Sequence, residues 1–316
     1  MNIVLINNLY IEESLLIELK NKLFSYGHNF TYYLTGANDD EMLINRIEDA
    51  DVLIIDNHRV SNEVLARAKH LKYIIIAFTG FDHIDVTYCK EHNIAVSNAS
   101  GYATKAVAEL TVGLIISYFR NVINFDKSTR KKLDKMDILG DEVERKTLGI
   151  IGYGKIGKQV VRLLENFDVK FLIYSHHDID SLPLNAEQVN LETILKESDV
   201  VSLHTPLNDS TRNLISENEL SLMKKSAILI NTARGPIVNR DALIKALKNK
   251  EIKGACLDVF EKEPPINDTE LCSLDNVILL PHVGYFTKEA MKKRFDIVEQ
   301  NLMSYLIESK FLNRIV

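Results

Sequence analysis

Thr147-Leu148-Gly149-Ile150-Ile151-Gly152-Tyr153-Gly154-Lys155-Ile156-Gly157 is the stretch on which the reading of this chain turns. Residues 148–151 form an apolar run of strand length. Gly152, Gly154 and Gly157 then give G-x-G-x-x-G, and residues 158–166 continue with helical spacing through Val160, Val161 and Leu164. Strand, glycine turn and helix stand in the order that a dinucleotide requires. The first glycine permits a tight turn, the second lets backbone approach a pyrophosphate, and the third lets helix pack on strand. The helix N-terminus offers unpaired N–H groups and the positive end of its dipole to phosphates. The same letters also describe a glycine turn in an ordinary strand–helix unit, so the flanking sequence has to decide.

Downstream, strand-like runs recur at 170–174, 200–203, 227–231, 254–257 and 277–280. With 148–151 they make six strands, the count for two mononucleotide-binding halves. Upstream, strands are expected at 2–6, 29–34, 52–55, 73–77 and 94–97. Helices are expected at 11–26 and 41–49, and Ser61 should cap another reaching Lys69. Strands joined by helices imply a parallel sheet covered on both faces. Small polar residues at 97–101 read as a hinge. A long apolar helix follows at 104–120, a charged stretch without pattern at 121–145, and a closing helix at 288–308. All six prolines (Pro183, Pro206, Pro236, Pro264, Pro265, Pro281) fall after residue 180.

The 316 residues suffice for two domains. A hydrophobic content of 46% with 26% charged residues is ordinary for a globular chain, and a formal net charge of −6 argues against a nucleic-acid partner. Cys89, Cys256 and Cys272 are widely spaced. They suit a reducing compartment, match no zinc pattern, and leave no metal to expect. Cys256 lies in an apolar run and reads as core. The N-terminus has no basic n-region, and the apolar stretch near 110–119 is too short to span a bilayer. No signal peptide and no membrane association are expected, which makes the cytoplasm the default.

Three side chains carry the chemistry. Arg234 follows the strand ending Ile230-Asn231, Glu263 follows the next strand and Asp258, and His282 follows the last strand and Pro281. All three sit at carboxyl ends of strands, on the edge where the glycine turn lies, and this is where open α/β sheets bind ligands. One site would then hold a cofactor, a cation, an acid and an imidazole.

With these residues in place, the chain resembles the D-isomer-specific 2-hydroxyacid dehydrogenase family, essentially from end to end. Besides the glycine turn, the resemblance is carried by Gly80-Phe81-Asp82-His83-Ile84-Asp85, Ala106-Val107-Ala108-Glu109, His204-Thr205-Pro206-Leu207, Asn231-Thr232-Ala233-Arg234-Gly235, Gly254-Ala255-Cys256-Leu257-Asp258-Val259-Phe260 and Pro281-His282. It implies an NAD- or NADP-dependent oxidoreductase that moves a hydride between the nicotinamide and a small 2-oxo or D-2-hydroxy acid. It implies that Arg234 binds the substrate carboxylate and carbonyl, since guanidinium offers a rigid fork of donors. His282 would protonate the carbonyl oxygen during reduction and take the proton back in oxidation. Glu263 would orient the ring and favour imidazolium. Backbone N–H groups of Thr79, Gly80 and Phe81 would meet the substrate carboxylate. Thr104 and Asp258 would lie near the nicotinamide, and Thr205 with Pro206 near the adenosine. Gly152, Gly154, Lys155, Ile156, Gly157, Ser175, His176, His204, Thr232, Ala233 and Gly284 complete the expected cofactor contacts.

The fold so implied is α/β with two doubly wound domains. One is a flavodoxin-like substrate domain of residues 1–100 plus 287–316, the other a Rossmann dinucleotide domain of residues 101–286. The chain would cross near Gly101 and again near 284–287, forming a hinge whose closure excludes water. The family packs the helix equivalent to 104–120 in a dimer, which implies a homodimer. Glu263 narrows the reaction, because formate dehydrogenases of similar look carry glutamine there. The stretch from Gly80 to Asp85 looks most like glycerate dehydrogenases and hydroxypyruvate or glyoxylate reductases. Two rivals are a dinucleotide-sensing corepressor-like binding protein and a phosphite dehydrogenase. One departure concerns the cofactor. The strand at 170–174 ends in Ser175-His176-His177, where NAD-specific relatives place an acid, and the next acid is Asp178. NADP use at least comparable with NAD is expected from that substitution.

Overall fold

Residues 1–134, 139–264 and 268–316 are described by a computed structural model. Pro265 lies outside them, as do four of the residues in the charged stretch 121–145. The chain divides into two units, Met1–Ala103 with Phe286–Val316, and Thr104–Tyr285.

In the first unit, β1 (Asn2–Leu5), β2 (Asn29–Tyr32), β3 (Val52–Ile55), β4 (Tyr73–Ile76) and β5 (Ala95–Asn98) form one parallel sheet in the order β2-β1-β3-β4-β5. This is the flavodoxin-like doubly wound order. Every residue of β3 and β4 is buried, which is why both read as unbroken apolar runs. Ser61 does cap a helix, its Oγ accepting from the Val64 N–H at 3.3 Å. That helix spans only Asn62–Leu65, short of the expected Lys69, because residues 66–71 continue in turns. The stretch read as a hinge begins inside the sheet: Ser97 and Asn98 belong to β5 and are buried.

The second unit holds β6 (Thr147–Ile151), β7 (Lys170–Tyr174), β8 (Ala186–Gln188), β9 (Val200–Leu203), β10 (Ile228–Asn231), β11 (Gly254–Leu257) and β12 (Val277–Leu279), all parallel in the order β12-β11-β10-β9-β6-β7-β8. Among the described residues the expected six strands are therefore seven. The missed one, β8, is three residues long, reads Ala-Glu-Gln and carries no hydrophobic alternation. It forms by pairing with the edge of β7 (Leu172↔Glu187, Ile173↔Gln188), a tertiary cause that the local sequence does not display. With β8 counted, β6-β7-β8 is one mononucleotide half and β9-β10-β11 the other, with β12 added at the edge. Alternate residues feed alternate faces. Ile228 and Ile230 pack with Phe171, Ile173 and Cys256 on one side, while Leu229 packs with Leu172, Val201 and Leu257 on the other.

The helix Thr104–Phe119 packs along the helix Lys155–Leu164 and reaches β10 and β11. A further helix, Val122–Arg130, occupies part of the stretch that showed no pattern. Among the described residues no single helix is long and apolar enough to cross a membrane; Thr104–Phe119 and Val122–Arg130 pass such a test only as a pair bent by 62°. Cys89 and Cys256 are buried free thiols, and Cys272 is an exposed one.

Candidate active site

β6 delivers the chain into the glycine turn. Gly152 has φ +96°, a conformation that side chains resist, and its N–H donates to the Tyr174 carbonyl at 2.9 Å, tying the turn to the end of β7. A Cβ on Gly152 would sit 2.6 Å from the His204 carbonyl oxygen, and one on Gly157 would sit 2.2 Å from the Gly152 oxygen. Turn, helix and the end of β9 are therefore packed backbone against backbone. Gly154 differs: it caps the helix Lys155–Leu164, and a Cβ there would meet nothing within 4 Å. Room in front of a helix N-terminus, with its unpaired backbone N–H donors, is what a pyrophosphate requires. The residues thus fit a dinucleotide.

His204, Thr205 and Pro206 follow β9. The His204 N–H donates to the Ile151 carbonyl at 2.7 Å, and its Nε2 lies 2.9 Å from Ser202 Oγ. Burial lowers its pKa to about 4, so the ring is neutral near pH 7 and serves hydrogen bonding rather than proton transfer. Ser202 was not singled out from sequence; its place two residues from His204 on one face of β9 was the available signal.

Arg234 sits on the loop after β10. Asn231, buried at the end of that strand, holds the loop at both ends. Its Oδ1 accepts from the Ala233 N–H at 3.0 Å, and its Nδ2 donates to the Arg234 carbonyl at 2.9 Å. This is an Asx-type turn, legible in principle from the Asn that ends an aliphatic run. Thr232 Oγ1 lies 3.1 Å from Thr111 Oγ1, fixing the loop to the helix Thr104–Phe119. At Gly235 a Cβ would fall 2.0 Å from the Phe260 carbonyl carbon, so this loop lies directly on the loop after β11. The Arg234 guanidinium also donates to the Ala233 carbonyl at 2.8 Å.

The loop after β11 carries Asp258 and Glu263. Asp258 is buried and accepts from the Val283 and Gly284 N–H groups at 2.8 and 2.7 Å, pinning the segment that bears His282. Burial pushes its carboxyl pKa up, against these two donors. Glu263 precedes Pro264 through a cis peptide bond; its Oε1 accepts from the Phe260 N–H at 3.0 Å and its Oε2 lies 2.6 Å from His282 Nδ1. Burial acts to raise the Glu263 pKa. The hydrogen bond and charge of His282, the Phe260 N–H and the Arg234 charge outweigh it and leave the pKa below the ordinary value. His282 has φ +54°, uncommon for a residue with a side chain, and its ring meets Tyr285 edge-on at 5.4 Å. Strand ends far apart in sequence thus converge: Glu263 bonds His282 and feels Arg234. Thr79, Gly80 and Phe81 belong to the other unit, just beyond β4, where the Thr79 carbonyl accepts from Asn98 Nδ2 at 2.7 Å. Among the described residues no cluster of His, Cys, Asp or Glu could hold a metal ion.

A family profile described as D-isomer specific 2-hydroxyacid dehydrogenase, NAD binding domain, matches residues 112–284. The chain belongs to this family. The dehydrogenase is 41% identical over 275 residues to a glyoxylate reductase of Thermofilum pendens, covering 84% of this chain and 81% of that protein. A solved acyclic imino acid reductase in complex with NADPH and D-Arg superposes with a TM-score of 0.89 at 33% identity, over 100% of both chains. An NAD-dependent formate dehydrogenase from Staphylococcus aureus, solved with NAD, superposes with a TM-score of 0.88 at 30% identity, over 100% and 99%. The dehydrogenase is accordingly an NAD(P)-dependent oxidoreductase of 2-hydroxy and 2-oxo acids, as its motifs implied.

Proposed function

We propose that this dehydrogenase reduces a small 2-oxo acid of the glyoxylate or hydroxypyruvate kind to the D-2-hydroxy acid, using Arg234, His282 and Glu263. The observation that carries the reading is the 2.6 Å contact between His282 Nδ1 and Glu263 Oε2, with Arg234 acting on the same carboxylate. The relative named glyoxylate reductase supports a small substrate.

The bound dinucleotide supplies or accepts the hydride. Arg234 presents its fork to the substrate carboxylate and carbonyl, on a loop that Asn231 holds in one shape. His282 engages Glu263 through Nδ1, which assigns Nε2 to the proton that reaches the carbonyl oxygen; the same nitrogen takes the proton back in the reverse direction. Glu263, held anionic, orients the ring and stabilises the charge that the ring carries before transfer. Asp258 is a positioning residue, acting through the backbone next to His282. The N–H groups of Thr79, Gly80 and Phe81 are further proposed carboxylate donors, on the resemblance alone.

The apolar helix Thr104–Phe119, followed by exposed Val122 and Ile123, supports the expectation of a homodimer, which light scattering on the purified protein tests. A cytoplasmic setting is proposed from three cysteines without a disulfide. The function itself is tested with a panel of 2-oxo acids, each with NADH and NADPH, followed by absorbance loss. Turnover of glyoxylate or hydroxypyruvate is expected. Turnover of formate or phosphite in the oxidative direction, with none of the 2-oxo acids reduced, would replace the reading.

A further inference from the structure

The end of β7 determines which dinucleotide fits. The Gly152 N–H bonds the Tyr174 carbonyl, so the next residue, Ser175, stands beside the glycine turn. That is the position, about 20 residues past the turn, where an acid accepts from a ribose 2′-OH. Ser175 is half-buried, and its Oγ accepts from the His177 N–H at 3.3 Å, which leaves its own O–H to donate. Asp178 is the acid that would have to substitute, and its two neighbours are tied to β8. Gln188 of β8 clamps the turn around it: its Nε2 donates to the His177 carbonyl at 2.9 Å, and its Oε1 accepts from the Ile179 N–H at 3.1 Å. β8 pairs with β7 on the side opposite β6, so the clamp draws residues 177–179 away from the glycine turn. His176 is exposed at this strand end with its ring edge-on to Tyr174 at 5.4 Å, and Lys155 is exposed on the glycine turn.

We infer that the ribose 2′ position of this site is built to accept a 2′-phosphate, with Ser175 as donor and Gln188 holding Asp178 aside, so that the protein binds NADP(H) at least as tightly as NAD(H). A carboxylate at residue 175 would repel that phosphate and leave it unpaired; a hydroxyl does neither. The inference rests on the glycine turn being the dinucleotide site.

Calorimetric titration without substrate tests it, with NADP+, NAD+, adenosine 2′,5′-bisphosphate and AMP as probes. The wild type is expected to bind NADP+ at least as tightly as NAD+. Ser175→Asp is expected to weaken NADP+ by about tenfold or more while NAD+ moves by less than about threefold. The exposed His176→Arg, which puts no demand on the core, is expected to tighten adenosine 2′,5′-bisphosphate by about threefold or more with AMP unchanged. Wild-type preference for NAD+ by about tenfold or more overturns the inference alone, as does a parallel shift of both dinucleotides in Ser175→Asp. Binding of neither dinucleotide overturns it together with the glycine-turn site.

Discussion

From the roles proposed for Arg234 and Glu263, their removal should separate binding from chemistry. Arg234→Ala should leave dinucleotide affinity intact and cut kcat/KM severely. A substrate carboxylate without its charged partner costs on the order of 3–5 kcal/mol, or about 150-fold to 4,000-fold. Steady-state kinetics within tenfold of wild type would refute the assignment. For Glu263 the sign follows from its lowered pKa: the carboxylate remains anionic well below neutrality and supports the proton on its partner. Reduction needs that proton, so its rate falls as pH rises through the pair's apparent pKa, and oxidation shows the opposite limb. Glu263→Gln removes the anion and should move both limbs to lower pH; overlaid reduction profiles of the two proteins would remove Glu263 from the mechanism. The same lowered pKa makes the carboxylate's contribution to folding complete above its unfolded pKa and lost as pH falls through the folded one.

The glycine turn makes its prediction as an element, because its glycines are required for different reasons. Gly157→Ala sets a methyl 2.2 Å from a backbone oxygen that cannot yield without moving β6 from its helix. It should lower stability by about 1–3 kcal/mol, visible as a fall in Tm, and weaken dinucleotide binding with it. Gly154→Ala meets no protein atom and should leave Tm unchanged, yet raise the dinucleotide Kd by filling the phosphate cradle. A Gly154→Ala protein that binds the dinucleotide normally would show that the phosphates do not approach there.

The first unit is built from both ends of the chain. Val96 of β5 is hydrogen-bonded to the last two residues (Val96 N–H to the Val316 carbonyl at 3.1 Å, Ile315 N–H to the Val96 carbonyl at 2.7 Å). Phe311 packs against Tyr73 and Tyr305 with ring centroids 5.0 and 5.1 Å apart. The helix Lys288–Glu308 buries Phe295, Val298 and Leu302, and Arg294 donates to the Leu9 carbonyl at 2.6 Å. Deleting residues 309–316 removes an aromatic from this core and bares the edge of β5. A loss of about 3–5 kcal/mol is expected, seen as an earlier thermal transition, while the second unit still titrates with dinucleotide. An unchanged melting curve would mean that the C-terminal segment adds nothing to the sheet.

Local pattern determined what local physics controls. Largely apolar runs buried on both faces announce parallel strands such as β3, β4 and β10 wherever they fall. The glycine spacing announces a phosphate turn, and Arg234, Glu263 and His282 stand at strand ends by their distance from those runs. Tertiary structure decided everything that depends on a neighbour. β8 is a strand only because β7 offers it an edge, and the helix after Ser61 stops early although its cap is sound. The 2.6 Å contact of Glu263 with His282 needs two loops drawn together by Asp258. The side of β7 on which Asp178 lies is set by a glutamine ten residues further on. Sequence spacing encodes period and punctuation, but hydrogen bonds between separate strands and loops are closed only when the sheet order brings their partners together.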